Sequence, residues 1–277
     1  MTTFGERLRQ AVESRGPLCA GIDPHAALLA DWGLEDSVAG LERFTMTTVE
    51  ALAGTVAAVK PQSAFFERHG SAGIAVLERA VRAAREQGAQ VVLDVKRGDI
   101  GSTAQGYADA YLDQSSPLAV DAITASPFLG FGSLDPMLDT AERHGAGVFV
   151  LALTSNPEGP QFQHARTSDG RTVAGVVLDS LAERNARTEG AGSFGAVVGA
   201  TIGGTGERLD IGGPLLVPGI GAQGGTVESV RAVFGDAVRN VLPSSSRESL
   251  RAGPDVEALR SAAARVNDSF RTLLEQP

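Results

Sequence analysis

Of the 24 lysine and arginine residues in the chain, only Lys60 and Lys96 are lysines. Arginine stays protonated at any useful pH and cannot hand a proton to carbon. A lysine can, and its pKa responds to neighbouring charge. A codon bias toward arginine accounts for lysines missing elsewhere but not for the two that remain, so both are candidates for catalysis or ligand binding. Lys96 sits in Leu93-Asp94-Val95-Lys96-Arg97-Gly98-Asp99-Ile100-Gly101-Ser102-Thr103. In an extended segment residues two apart share a face, so Asp94 and Lys96 project together while Val95 faces the outer packing layer. The plainer alternative is an ion pair tying the strand end, but a buried ion pair gives doubtful net stability after desolvation. Ser102 and Thr103 fall near a helix start, where capping alone explains either.

These residues need a scaffold, and the hydrophobic pattern supplies one. Short apolar runs recur at Leu18–Asp23, Val56–Lys60, Gln90–Val95, Val120–Ala125, Val148–Thr154, Ala196–Ala200, Leu215–Pro218 and Val238–Leu242. They are continuously apolar, as parallel strands buried on both faces are. Between them lie amphipathic stretches. In Ser71–Gln87 one face carries Ile74, Leu77, Val81 and Ala84, and Gly88 follows as a C-terminal glycine. Eight strands alternating with helices predict a (β/α)8 TIM barrel, with residues 1–277 as a single domain. Pro254–Pro277 reads as a closing helix burying Val256, Leu259, Ala263, Val266 and Phe270. The irregular stretch Asn156–Arg171 follows the fifth strand, either as a lid over the mouth or as an excursion without a role.

Barrel chemistry sits at the C-terminal strand ends. There the chain offers Asp23, Lys60, Asp94 with Lys96, Ser126, Thr154 with Ser155, Thr201, the Gly219–Gly225 loop, and Ser244–Arg247. The loops after strands seven and eight commonly grip a phosphate. Gly219, Gly221, Gly224 and Gly225 allow backbone N–H groups to approach, and a helix starting near Thr226 offers its positive end. Gln223 adds an amide donor and Arg247 a bidentate one.

Composition limits the alternatives. Net charge is −9, which argues against a nucleic-acid partner. The N-terminal stretch Met1–Arg7 is too polar for a signal peptide, and no apolar run has the length of a membrane span. Cys19, the one cysteine, reads as a small buried hydrophobe; a cytoplasmic location is the expectation. His25, His69, His144 and His164 are scattered, so no metal site is expected.

The segment Asp94-x-Lys96-x-x-Asp99-Ile100-x-x-Thr103 resembles the signature of the orotidine monophosphate decarboxylases. Gly21-Ile22-Asp23-Pro24, Val59-Lys60-Pro61-Gln62 and Leu215–Gly225 resemble further segments of that family in the same order, over about Gly21 to Arg247. Thr154-Ser155-Asn156-Pro157 and the extended segment after it are most similar to the longer bacterial subgroup. The resemblance implies a cofactor-free conversion of orotidine monophosphate to UMP in pyrimidine biosynthesis, with Lys96 as proton donor to C6. It implies that Asp94 and Asp99 hold Lys96 near the substrate carboxylate, with Lys60 and Asp23 contacting the ribose. Ser155 would read the pyrimidine edge; Gln223, Gly224 and Arg247 would bind the phosphate. It also implies a homodimer in which Asp99 and Thr103 complete the partner's site. Many family members have Arg-Gly after the eighth strand where this chain has Arg247-Glu248.

Two rival readings carry different expectations. Relatives that share the Asp-x-Lys-x-x-Asp strand use magnesium on sugar phosphates, which requires a second-strand carboxylate where this chain has Lys60. A non-catalytic nucleotide-binding barrel would keep the phosphate loop without needing a lysine between carboxylates.

Overall fold

The alternation of residues within each apolar run sorts side chains onto two sides of one closed sheet. The computed structural model describes residues 2–274. Its eight parallel strands close in sequence order, with β8 beside β1. They are β1 (Cys19–Ile22), β2 (Ala58–Pro61), β3 (Gln90–Arg97), β4 (Ala122–Ala125), β5 (Gly147–Leu153), β6 (Phe194–Val198), β7 (Leu215–Pro218) and β8 (Val241–Ser245). Inside the barrel, Cys19, Ala58, Val92, Ala122, Phe149, Val197, Leu216 and Leu242 form one apolar layer. Their neighbours Ala20, Val59, Leu93, Ile123, Val150, Leu215 and Val217 join the larger layer against the helices. Both faces are buried, which is why the runs show no polar alternation.

The N-terminal end of the barrel is plugged. Thr3 and Glu6 form a capping box that starts the helix Phe4–Arg15. That helix sends Phe4 and Leu8 into the interior layer. The Phe4 ring stands edge-on to Phe149 with centroids 6.0 Å apart. A side chain at position 147 would stand 2.2 Å from the Phe4 ring, so Gly147 is what lets the plug seat.

Most expected elements occur, with shifted ends. The helix expected over Ser71–Gln87 spans Gly70–Glu86, with Leu77, Val81 and Ala84 buried and Gly88 beyond it at φ 83°. The closing helix spans Val256–Arg271 and buries Leu259, Ala263 and Phe270; residues 275–277 of the expected stretch lie outside the described residues. The eighth strand needs correction. Val238 belongs to a 3₁₀ turn, Gly235–Asn240, and the strand runs through Pro243 to Ser245. The βα alternation has one exception among the described residues, since β6 and β7 are joined without a helix. The link 199–214 is rich in glycine, which disfavours helix by about 1 kcal/mol per residue. It folds instead by burying Leu209 and Ile211, and Glu207 accepts a bond from Thr172 at 2.6 Å.

Cys19 lies in the interior layer, fully buried. Burial pushes its thiol up to about 12, against the opposing pull of the Lys60 ammonium. The thiol is therefore neutral at any working pH, and only a thiolate is nucleophilic. Iodoacetamide at pH 8 is expected to leave the folded protein unmodified and to alkylate Cys19 once urea unfolds it. Mass spectrometry showing rapid alkylation without denaturant would contradict this burial.

Candidate active site

The site is the next layer up the barrel. Two residues beyond the interior positions Cys19, Ala58, Val92, Ala122 and Leu242 stand Gly21, Lys60, Asp94, Thr124 and Ser244, which the period of two turns inward again. The apolar layer below keeps this polar one away from water on that side.

Asp94 is the hub. Its Oδ2 accepts from Lys60 Nζ at 3.0 Å and Gln62 Nε2 at 3.2 Å, and its Oδ1 from Lys96 Nζ at 2.5 Å and Thr124 Oγ1 at 2.8 Å. Burial alone would raise the Asp94 pKa, but the two lysines outweigh it and hold the carboxyl well below the usual range. Burial likewise opposes the charge on Lys60, yet Asp94 and then Asp23 hold its pKa above the ordinary value. The cluster is thus a fixed array of full charges. The two lysines differ in access: the Lys60 side chain is 9% exposed and that of Lys96 47%. Lys96 is the more open of the pair to a ligand arriving from the mouth.

An irregularity in β3 brings Lys96 to this position. Leu93 pairs with Ile123 and Arg97 with Ala125, so three residues of β3 (94, 95 and 96) oppose the single residue Thr124 of β4. Lys96 takes φ 44°, the only positive φ among described non-glycine residues, and its N–H donates to Thr124 Oγ1 at 2.9 Å. Arg97 anchors the far side of the bulge, donating to Glu67 at 2.6 Å and lying over the Tyr107 ring.

Asp23 sits just past β1 with Oδ1 buried and unpartnered. Ser155 is exposed beyond β5. Next to it Thr154 is locked to the short helix Pro160–Gln163, since Gln163 accepts from the Thr154 N–H at 2.9 Å and donates to its hydroxyl at 2.7 Å. In the loop after β7, the N–H groups of Gly221, Gly224 and Gly225 donate within the loop itself. Gly224 therefore shapes the turn, at φ 88° with open space at its Cα. The exposed Gln223 amide and the half-buried Arg247 guanidinium remain as outward donors, and Arg247 makes no ion pair among the described residues. The next helix is Val227–Phe234, capped by Thr226. Glu248 packs against Gly221, with Oε2 2.9 Å from where a Cβ would stand.

Asp99 and Thr103 are not drawn into the cluster within one chain. Asp99 Oδ1 accepts only the N–H of Ile100, at 2.8 Å. The helix Gly101–Leu112 has Ile100 as N-cap and no side-chain cap bond, so capping explains neither Ser102 nor Thr103. Gln62 and Thr124 bind the hub directly. Gln62 was visible only as part of a motif and Thr124 not at all. Two residues on from Ala122, the inward period of the strand reaches Thr124, whereas Ser126 lies just past the strand's end. No group of three or more His, Cys, Asp or Glu among the described residues is placed to hold a metal ion.

Comparison with known proteins gives the lineage. Residues 16–262 match the family described as orotidine 5′-phosphate decarboxylase / HUMPS. The chain belongs to this family. An orotidine 5′-phosphate decarboxylase of Nocardioides sp. is 63% identical over 275 residues, covering 98% of this chain and 100% of that one. Its counterpart in Streptomyces coelicolor is 60% identical over 273 residues, covering 98% of each. A crystal structure from Streptomyces avermitilis superposes with TM-score 0.97 at 60% identity, over 100% of this chain and 97% of that one. The Leishmania donovani OMP decarboxylase gives TM-score 0.75 at 30% identity, over 99% of this chain and 100% of that one. At the second-strand position, where a magnesium-dependent relative is expected to carry a carboxylate, this chain has Lys60 bonded to Asp94.

Proposed function

We propose that this chain is an orotidine 5′-monophosphate decarboxylase, converting the substrate to UMP and carbon dioxide in the last step of pyrimidine nucleotide synthesis. The observation that carries the reading is the Lys60–Asp94–Lys96 array, with one lysine buried and the other open to the mouth. The C6–carboxylate bond breaks with its electron pair left on C6, and carbon dioxide departs. The Lys96 ammonium stabilises that carbanion and then gives it a proton from Nζ; solvent restores the proton to the amine. Preorganised charge of this kind needs no reorganisation at the moment of reaction. Asp94 holds Lys96 in place, and Lys60 with Asp23 takes the ribose hydroxyls. Ser155 reads the pyrimidine edge, and Gln223, Gly224 and Arg247 hold the phosphate, Gly224 through loop shape. The array works without a metal or organic cofactor.

The working unit in this reading is a homodimer of single-domain barrels. Asp99 makes no ion pair among the described residues, Ile100 beside it is 62% exposed, and Phe128 and Leu129 on the adjacent loop are 73% and 53% exposed. An apolar face of this kind beside an unpaired carboxylate suits a second copy that takes Asp99 and Thr103 into its own site. No described helix is long and apolar enough to cross a membrane, and the reading places the enzyme in the cytoplasm.

The test follows the ultraviolet absorbance of orotidine monophosphate with purified protein in excess EDTA. Conversion to UMP at undiminished rate is expected. A folded protein that leaves the substrate intact, or that needs magnesium and acts on a sugar phosphate, would overturn the reading.

A further inference from the structure

We propose that Thr124 is a positioning residue for Lys96, one hydroxyl setting both the backbone and the counter-ion of the proton donor. The proposal rests on the decarboxylase reading for what Lys96 does, and on geometry for the rest. Thr124 is 1% exposed and is the single β4 residue facing the three-residue bulge of β3. The bulge takes the Lys96 N–H out of the sheet ladder, and a part-buried backbone donor left there needs another partner. It finds Thr124 Oγ1 at 2.9 Å. The same oxygen donates its proton to Asp94 Oδ1 at 2.8 Å, the oxygen that holds the Lys96 ammonium. Because Asp94 is ionised and accepts only, the hydroxyl proton points to Asp94 and its lone pair is left for Lys96. The lysine is thereby fixed at both ends, at the amide that carries its φ of 44° and at Nζ. A left-handed backbone at a non-glycine residue persists only where its surroundings over-determine it; here Thr124 constrains the Lys96 side of the bulge and Arg97 the far side.

A merely space-filling threonine would tolerate valine, which has the same shape. The positioning role predicts that Thr124→Val loses about 10²-fold in kcat, the scale of a 1 Å misplacement, while UMP affinity stays within about threefold. Thr124→Ser, which keeps the hydroxyl, is expected to restore most of the loss. Amide hydrogen exchange at Lys96 supplies a readout independent of turnover: fast in Thr124→Val, slow in wild type and Thr124→Ser. If valine prevents folding, Thr124→Ala carries the same expectations. Wild-type turnover in a valine variant, or a serine variant as impaired as the valine one, would overturn the positioning role. Inactivity of the wild type itself would instead remove the decarboxylase reading, with exchange at Lys96 still deciding whether Thr124 fixes the backbone.

Discussion

Lys96→Ala is expected to lose at least about 10⁴-fold in kcat, combining the loss of a general acid with that of a fixed charge at the developing carbanion. UMP binding should survive within about tenfold, because the phosphate and ribose contacts assigned to Gln223, Arg247, Lys60 and Asp23 are untouched. The variant should also fold. The Lys96 side chain is half exposed, and without it Asp94 keeps three donors, Lys60, Gln62 and Thr124. Lys96→Arg is the sharper companion. It keeps a cation over C6 but cannot release a proton, so it should remain far below wild type. Turnover near wild type in the alanine variant would withdraw Lys96 from the reaction. Recovery in the arginine variant would reduce its part to electrostatics.

That experiment targets a residue legible in the sequence, and the reasons it was legible are physical. A lysine between two carboxylates at the end of a buried strand has few structural uses, and the strand itself announces its buried faces. β7 was readable to the residue, Leu215–Pro218, because glycines follow it. β8 was not. Pro243 looks like a terminator, since proline cannot donate to a ladder, yet the strand continues past it to Ser245. Val238, apolar enough to look like strand, is used in the 3₁₀ turn before it. The bulge in β3 left no signal at all. Nothing in the type of a lysine marks it for φ 44°, and the two-residue period that placed Asp94 and Lys96 on one face presupposes a regular strand. Their meeting at 2.5 Å comes from the bulge, which also turns the Lys96 N–H toward Thr124.

The second large effect concerns the two residues the barrel leaves outside its own site. Asp99→Asn alone is expected to lose at least about 10²-fold in kcat if, as proposed, it removes a fixed charge from the partner's site. Its diagnostic use is in a mixture. If Asp99 serves the partner's Lys96, a dimer of one Lys96→Ala and one Asp99→Asn chain contains one site with both defects and one with neither. Unfolding and refolding equal amounts of the two nearly inactive proteins together should then return about a quarter of wild-type activity, half the dimers being mixed and half of their sites intact. If Asp99 serves its own chain, every site in the mixture carries one defect or the other, and no activity returns. The geometry favours the first outcome. Asp99 Oδ1 is engaged only by the neighbouring backbone N–H, and the exposed Ile100, Phe128 and Leu129 give a second barrel an apolar surface to cover as it accepts the carboxylate. Mixing that restores nothing, with both variants shown to be dimeric, would return Asp99 to its own barrel and require the loop 97–101 to move before Asp99 could reach Lys96.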